Sequence, residues 1–159
     1  MKIVVFDTET TGIPDKNMSL EDQPYLLQFA CIVFDLRGGI LTELLKIDQL
    51  FKPLITIPYE TTKIHNITNE DVEGKPEFKD LAKKFLELFK YCDIAVAHNL
   101  EFDKKIIEIE LERAEMPTNF LPSQTFDTMK ETKLAVGISS GFGKFKAPKL
   151  IELHQFLFG

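Results

Sequence analysis

Tryptophan is absent from this 159-residue chain, and cysteine and histidine are scarce, with two and three copies. Cys31 and Cys92 lie in apolar segments without a CxxC pair or a nearby pair of histidines, which argues against a zinc site. No apolar run approaches the roughly 20 residues of a membrane-spanning helix, and no secretory pattern is present. We therefore expect a reduced, cytoplasmic protein without a membrane association.

Positive charge is in deficit, with 19 basic against 25 acidic residues and a formal charge of -6. The surface as a whole should therefore repel nucleic acid and anionic membranes. If the substrate is a polyanion, local cations must hold it, and a small footprint is expected rather than a long basic groove.

Phenylalanine, by contrast, is abundant, with 14 copies in a chain that is 44% hydrophobic. This composition predicts a phenylalanine-rich core. The length suits one domain, and no repeat, linker or low-complexity block indicates a second.

Strand patterns dominate the first third of the chain. Apolar runs at residues 3–9 and 26–34 predict strands, and Arg37-Gly38-Gly39 predicts a hairpin turn. Residues 40–51 are compatible with a helix or a returning strand, and the turn favours the strand. Pro53 and Pro58 bracket an irregular connection.

Helical patterns follow and alternate with short strands. Thr68 with acids after it predicts the start of a short helix, and Pro76 suits the first turn of an amphipathic helix through residue 89. The remaining predictions are a strand at 92–97, a helix through Arg113, a short strand at 125–128, a mobile loop at 136–148 and a final helix opened by Pro148. This order predicts an α/β domain with a mixed sheet.

Two carboxylates stand at the end of the first predicted strand, in FDTETTG at residues 6–12. Alternation along a strand places Asp7 and Glu9 on the same side, a few ångströms apart. Like charges at this separation favour a cation or a proton between them. The turn that follows exposes backbone, so this strand end could bind divalent cations and a phosphate.

A third acid, Asp103, falls in the first turn of a helix, in HNLEFD at residues 98–103. Taken alone, Asn99 is equally well read as a helix cap, and Glu101 and Asp103 as acids that compensate the helix dipole. Together with the strand-end pair, Asp103 is harder to dismiss.

These two segments resemble the first and second motifs of the DEDD-type 3'-5' exonucleases, in the ribonuclease H-like superfamily. QFA at 28–30, IHNIT at 64–68, FDT at 126–128 and KLIEL at 149–153 continue the resemblance, which is strongest for the proofreading-subunit branch. The resemblance implies a three-layer α/β domain with a mixed five-stranded sheet flanked by helices. It also implies removal of nucleotides from DNA 3' ends.

The resemblance further implies roles for individual residues. Asp7, Glu9 and Asp103 would hold two Mg²⁺ or Mn²⁺ ions, with Asp7 between them. The backbone of Thr10 and Thr11 would meet the terminal 3'-hydroxyl, and the other substrate-binding candidates are His65, Asn99 and Phe102. His65 could instead be a loop histidine that caps the next helix.

The chain departs from the histidine-bearing branch in one respect, because it lacks that branch's third motif, a histidine followed five residues later by an aspartate. The position five after His154 is Gly159. The general base and the fourth metal ligand are therefore missing, which predicts poor activity for this form. We expect that a segment of roughly 25 to 35 residues belongs after Gly159.

Three other functions stay open on sequence alone. One is a module of the same fold that binds metal or a strand end without cutting, and another is an exonuclease on RNA 3' ends, since no residue reveals contact with a 2'-hydroxyl. A phosphatase with Asp7 as nucleophile is disfavoured, because Glu9 is an unusual second acid for such a site. A proofreading role would imply a single-stranded or frayed DNA end as substrate and a DNA polymerase subunit as partner.

Overall fold

A computed structural model describes residues 1–141 and 144–159, and its centre is a five-stranded sheet in the order β3-β2-β1-β4-β5. The five strands are β1 (Lys2–Thr10), β2 (Leu26–Arg37), β3 (Ile40–Leu50), β4 (Ile94–Ala97) and β5 (Gln124–Asp127). β2 runs antiparallel to both β1 and β3, whereas β4 runs parallel to both β1 and β5. The predicted mixed sheet is confirmed, and residues 40–50 form a strand rather than a helix.

Six helices and a small second sheet complete the described chain. The helices are α1 (Tyr59–His65), α2 (Phe78–Tyr91), α3 (Leu100–Arg113), α4 (Thr128–Glu131), α5 (Lys133–Val136) and α6 (Leu150–Phe158). The second sheet pairs β6 (Ser139–Gly141) with β7 (Lys144–Phe145). None of the helices in the described parts is long and apolar enough to cross a membrane.

Phenylalanine rings form the centre of the core, as the composition predicts. Inward-facing residues of β1 and β2 alternate with outward-facing ones, so that Phe6 and Phe29 project toward the apolar face of α2. Phe29 packs on Phe85 with ring centroids 4.3 Å apart, and Phe89 contacts Phe6 edge-on at 5.1 Å. Such edge-to-face pairs add to the burial energy of each ring. This packing holds β1, and therefore its polar end, rigidly in place.

The prediction of a short helix that begins at Thr68 is wrong. α1 lies upstream, at Tyr59–His65, directly after Pro58. Thr68 does make the expected capping contacts, because its main-chain amide and hydroxyl both donate to Asp71 Oδ2, at 2.8 and 2.7 Å. These bonds close only a turn, which ends at Gly74 with a left-handed φ of 73°, a backbone conformation that favours glycine and does not continue a helix.

Two other predictions are corrected in detail. Pro76 precedes α2 rather than entering its first turn, and Glu77 is the N-cap, in a capping box with Asp80. The loop predicted at 136–148 contains β6 and β7, and residues 142–143 of that prediction lie outside the described residues.

Candidate active site at the end of the first strand

Asp7 and Glu9 lie on one face of β1, and Phe6 and Thr8 are buried on the other. β2 pairs with β1 along the whole strand, whereas β4 pairs only with residues 3–5, so the polar end of β1 is held by β2 and by the bond from Thr8 to α3. A register shift between Glu9 and Thr10 marks the point where the ladder ends. Asp7 is exposed and Glu9 is half-buried, which leaves both carboxylates accessible from the same side.

Asp103 is only 2% exposed, in the first turn of α3, and it is bonded to the middle of this strand. Its Oδ1 accepts hydrogen bonds from the Thr8 main-chain amide at 2.9 Å and from the Thr8 hydroxyl at 2.7 Å. Thr8 therefore joins α3 to β1 between the two strand-end acids.

Asp7 acts electrostatically on each of the other two carboxylates. Burial raises the pKa of Asp103 to about 7, the Thr8 hydroxyl opposes this rise, and the charge of Asp7 adds to it. Burial also raises the pKa of Glu9, with a further contribution from Asp7. The pKa of Asp7 is raised by desolvation, because neighbouring protein atoms surround the carboxylate although part of the residue is exposed, and the Thr8 main chain and the His98 ring reduce this effect. Negative charge is thus concentrated here, and His98 is the one basic side chain among the causes of these shifts, acting on Asp7 alone.

Oxygen donors of this kind fit a hard divalent cation such as Mg²⁺ or Mn²⁺. A positive ion between the carboxylates would favour their charged forms, which burial and mutual repulsion now disfavour. In residues 1–141 and 144–159, however, no three acidic, histidine or cysteine side chains already form a metal-binding group. Asp103 Oδ1 is engaged by Thr8, so the three acids are neighbours rather than a closed cage.

Thr10 and Thr11 form the turn that follows the acids, and both are buried. The Thr10 hydroxyl donates to the Gly12 carbonyl at 2.6 Å. Thr11 is bonded twice to Tyr25, because its amide donates to the Tyr25 carbonyl and its hydroxyl accepts from the Tyr25 amide. The hydroxyls therefore build the turn, and any contact to a substrate would fall to the backbone.

His65, the last residue of α1, is brought next to this turn. Burial lowers the pKa of His65, and the Thr10 main chain beside the ring opposes this effect. Nδ1 accepts from the Ile67 amide at 3.0 Å, and Nε2 is buried without a hydrogen-bond partner within the described chain. The histidine thus closes the turn after α1, and its ring lies against the Thr10 main chain.

Asn99 and Phe102 lie at the start of α3. Asn99 occupies the N-cap position with a left-handed φ of 77°, but its side chain makes no capping bond. Asp127 supplies the cap instead, because its two oxygens accept from the amides of Asn99 and Leu100, each at 3.1 Å. Phe102 is half-buried and packs against the main core.

The motif search did not single out Asp127 or His98 as site residues. Asp127 also accepts from the amides of Met129 and Lys130, so one buried carboxylate caps both α3 and α4. His98 Nδ1 lies 2.9 Å from Thr128 Oγ1, and Nε2 lies 3.0 Å from the Pro148 carbonyl. His98 was predicted at the junction of a strand and a helix, and Asp127 in a short strand, without a helix after it. The bonds of Asp127 to the start of α3 span 27 and 28 positions and the contacts of His98 span 30 and 50, so no local pattern indicated them.

A buried ion pair in α3 was also missed. Arg113 donates to the carbonyls of Leu20, Gln23 and Pro24, and its guanidinium lies 3.8 Å from the centre of the Tyr25 ring. Glu110 pairs with Arg113 at 3.2 Å and accepts from the Leu26 amide at 2.8 Å. α3, which carries Asp103, therefore also holds the loop that contacts Thr11.

The sheet order, the flanking helices and the acids at the end of β1 define the class as a ribonuclease H-like α/β fold. Escherichia coli exonuclease I, solved with a 5cy-dA13 oligonucleotide, superposes on 99% of this chain and 36% of its own, with a TM-score of 0.74 and 16% identity. Exonuclease X, solved with a 5' overhanging duplex DNA, covers 87% of this chain and 68% of its own, with a TM-score of 0.57 and 24% identity.

The family follows from sequence comparison. A family model described as Exonuclease (RNase_T) matches residues 4–152, so the chain belongs to this exonuclease family, and the resemblance read from its motifs is confirmed. DNA polymerase III subunit epsilon of Treponema pallidum is 33% identical over 106 residues, which are 67% of this chain and 44% of that protein. The 3'-5' exonuclease DinG of Bacillus subtilis is 30% identical over 159 residues, which are 98% of this chain and 15% of that protein. The chain spans less than half the length of these curated relatives.

Proposed function

We propose that this protein is a divalent-metal-dependent 3'-5' exonuclease that removes nucleotides from DNA 3' ends, of the proofreading type. The observation that carries the proposal is the coupling of Asp7, Glu9 and Asp103 at the end of β1, in a chain of the exonuclease family. The related proteins named as epsilon subunits of DNA polymerase III support DNA as the substrate and a polymerase subunit as the partner.

In this proposal, the three carboxylates hold two Mg²⁺ or Mn²⁺ ions. When bound, such ions supply an activated water and stabilise the attacking and leaving oxygens of a phosphodiester. The role of the chain is to hold the carboxylate oxygens in position before the ions and the substrate bind. Thr8 orients the Asp103 carboxylate toward β1, and β1 presents Asp7 and Glu9 on its accessible face.

The terminal nucleotide would be positioned by the turn after β1. The Thr10–Thr11 backbone would face the 3'-hydroxyl, and His65 Nε2, which lacks a partner within the described chain, would offer the nucleotide a hydrogen bond. Asn99 and Phe102 would border the same pocket from the start of α3. Fixed donors and acceptors of this kind lower the cost of orienting a flexible strand end.

His98 is the histidine that acts electrostatically on Asp7, yet it does not suit the role of general base. Both ring nitrogens are at hydrogen-bond distance from other groups, Thr128 Oγ1 and the Pro148 carbonyl. A base must reach the proton that it removes. We therefore assign His98 the role of holding Thr128 and Pro148 in place next to the end of β4.

Shortening of a 5'-fluorescein single-stranded DNA in Mn²⁺ tests the proposal. The substitution Asp7→Asn should slow shortening by roughly a thousandfold, because the bound metal would no longer lower the activation barrier by several kcal/mol. Glu87→Gln, which removes one charge from an exposed position on α2, is the matched control and should retain the wild-type rate.

Three outcomes would contradict the proposal. Equal shortening rates for Asp7→Asn and wild type would show that Asp7 holds no metal ion needed for the reaction. Binding in Mn²⁺ without shortening would identify a non-catalytic module of the same fold. Faster shortening of an RNA of the same sequence would replace DNA with RNA as the substrate.

A further inference from the structure

Positive charge is unevenly distributed along this acidic chain. Residues 128–149, which we call the basic segment, contain five lysines and one acid, a net charge of +4. The other 137 residues contain 14 basic and 24 acidic residues, a net charge of -10. The lysines of the basic segment are Lys130, Lys133, Lys144, Lys146 and Lys149.

The two ends of the basic segment meet beside the carboxylates. His98, at the end of β4, lies within hydrogen-bond distance of Thr128 at the start of the segment and of Pro148 near its end. Asp7, His98, Thr128 and Leu150 line the same cavity. Thr128 and Pro148, near the two ends of the segment, are therefore held next to the strand end that carries the acids.

All five lysines of the basic segment are exposed, and two of them, Lys130 and Lys146, lie within 4.0 Å of a carboxylate. Lys130 is 3.7 Å from Asp127 and 4.0 Å from Glu101, and Lys146 is 2.7 Å from Glu152. Lys133, Lys144 and Lys149 form no ion pair within 4.0 Å in the part of the chain that the structure describes. Lys149 also acts electrostatically on Glu152, whereas Lys133 and Lys144 are not among the causes of any pKa shift in the described residues, so their charges in particular can attract an external anion.

We propose that the basic segment binds the phosphate backbone of the single strand whose 3' end enters the carboxylate site. This inference rests on the proposed function and adds a second contact region to it. Surface charges act over about 8–10 Å at physiological salt. The basic segment, with its net charge of +4, can therefore attract a polyanion locally although the rest of the chain repels it. The interface therefore extends beyond the small footprint that the net charge suggests.

The salt dependence of binding provides the test. The triple variant Lys133→Gln, Lys144→Gln, Lys149→Gln is compared with wild type by fluorescence anisotropy, using a single-stranded DNA in Ca²⁺ over a range of NaCl concentrations. Each phosphate contact contributes about 0.7 to the slope of log K against log salt for single strands. The slope should therefore fall in magnitude by about 2.

A second triple variant, Lys83→Gln, Lys84→Gln, Lys90→Gln, is the matched control. It removes three exposed lysines from α2 and changes the net charge by the same amount. Its slope should equal that of wild type, whereas an equal fall in both variants would show that only net charge matters and would overturn the inference. An unchanged slope in the first variant, with an unchanged thermal unfolding midpoint, would also overturn it.

Failure of the inference and failure of the proposed function give different results. If wild type shortens the strand and the basic-segment variant keeps its salt slope, the backbone surface is wrong and the exonuclease stands. If the slope falls as expected but wild type in Mn²⁺ leaves the strand intact, the surface stands and the hydrolytic function is wrong. Absence of binding by wild type at low salt would overturn the inference whatever the outcome of the shortening assay.

Discussion

At the scale of single residues, the site depends on Asp103, a buried acid whose charged form is disfavoured by its surroundings. Asp103 is almost fully buried, receives two hydrogen bonds from Thr8 and lies near the negative charge of Asp7. Burial of a carboxylate beside another acid costs stability unless the group is protonated or a cation is bound. Such a cost is typical of residues kept for function rather than for folding.

This cost has a defined pH dependence in the metal-free protein. The pKa of Asp103 is raised from 3.8 to about 7, so the native state holds a proton that the unfolded state has lost between these values. Stability should therefore fall as pH rises through this window, and the raised pKa values of Asp7 and Glu9 act in the same direction.

Asp103→Asn should remove most of this pH dependence and raise the free energy of unfolding at pH 8 by about 1 to 3 kcal/mol. Urea unfolding in EDTA at several pH values between 5 and 8 measures both effects. If the variant and wild type had parallel pH profiles, the raised pKa of Asp103 would not be the cause.

At the scale of elements, α3 is joined to both ends of the turn region by polar contacts rather than by apolar packing alone. Its first turn binds Thr8 through Asp103, and its last turn binds the loop at residues 20–26 through Glu110 and Arg113. The helix thus sets the distance between Asp103 and the turn that carries Thr11.

Arg113→Met should lower the free energy of unfolding by about 3 to 5 kcal/mol, because Glu110 and several loop carbonyls would lose their buried partner. Arg37→Met is the matched control: it removes the chain's other arginine, whose side chain is 81% exposed, and should cost under about 1 kcal/mol. Chemical denaturation measures both variants, and similar losses would contradict a structural role for the α3 ion pair.

Asp127 provides a second test at this scale, because it caps α3 and α4 together. Asp127→Ala should cost about 2 kcal/mol or more, since four main-chain amides lose their acceptor. Asp71→Ala, which removes an exposed turn carboxylate bonded to Thr68, should cost under about 1 kcal/mol. A loss for Asp127→Ala no larger than that for Asp71→Ala would show that water replaces the buried cap.

At the scale of the whole molecule, charge is separated between an acidic body and the basic segment. The acidic side of this separation includes the carboxylates at the end of β1, where His98 opposes only part of the rise in the pKa of Asp7 and no basic side chain contributes to the shifts of Glu9 and Asp103. A bound divalent cation would therefore stabilise the fold as well as complete the site.

Mn²⁺ should raise the thermal unfolding midpoint of wild type, with a gain of about 2.7 kcal/mol at a concentration one hundred times Kd. Asp7→Asn should abolish most of this gain, whereas the exposed control Glu87→Gln should retain it. Differential scanning calorimetry with and without Mn²⁺ distinguishes these results. A gain retained in Asp7→Asn would place the ion elsewhere.

Local pattern sufficed for most of the strands and for the two long helices, because their apolar periodicity and their packing agree. It failed at Thr68, where correct capping contacts close a turn instead of a helix. Likewise, the spacing of Asp7 and Glu9 on one strand is a local property and was predictable. The two bonds from Thr8 to Asp103 join residues 95 positions apart, and no local pattern encodes them.

The order of residues along the chain was enough to predict the mixed α/β fold, the acid pair at the end of β1 and the membership of an exonuclease family, because each depends on short-range periodicity or on contiguous motifs. The folded structure was needed to show how Asp103 is held, which acid caps α3 and where the basic segment is anchored. These features depend on contacts between distant parts of the chain, and His98, which joins Thr128 and Pro148 beside Asp7, shows why. Its two partners lie 30 and 50 residues away, and only the folded sheet brings them together.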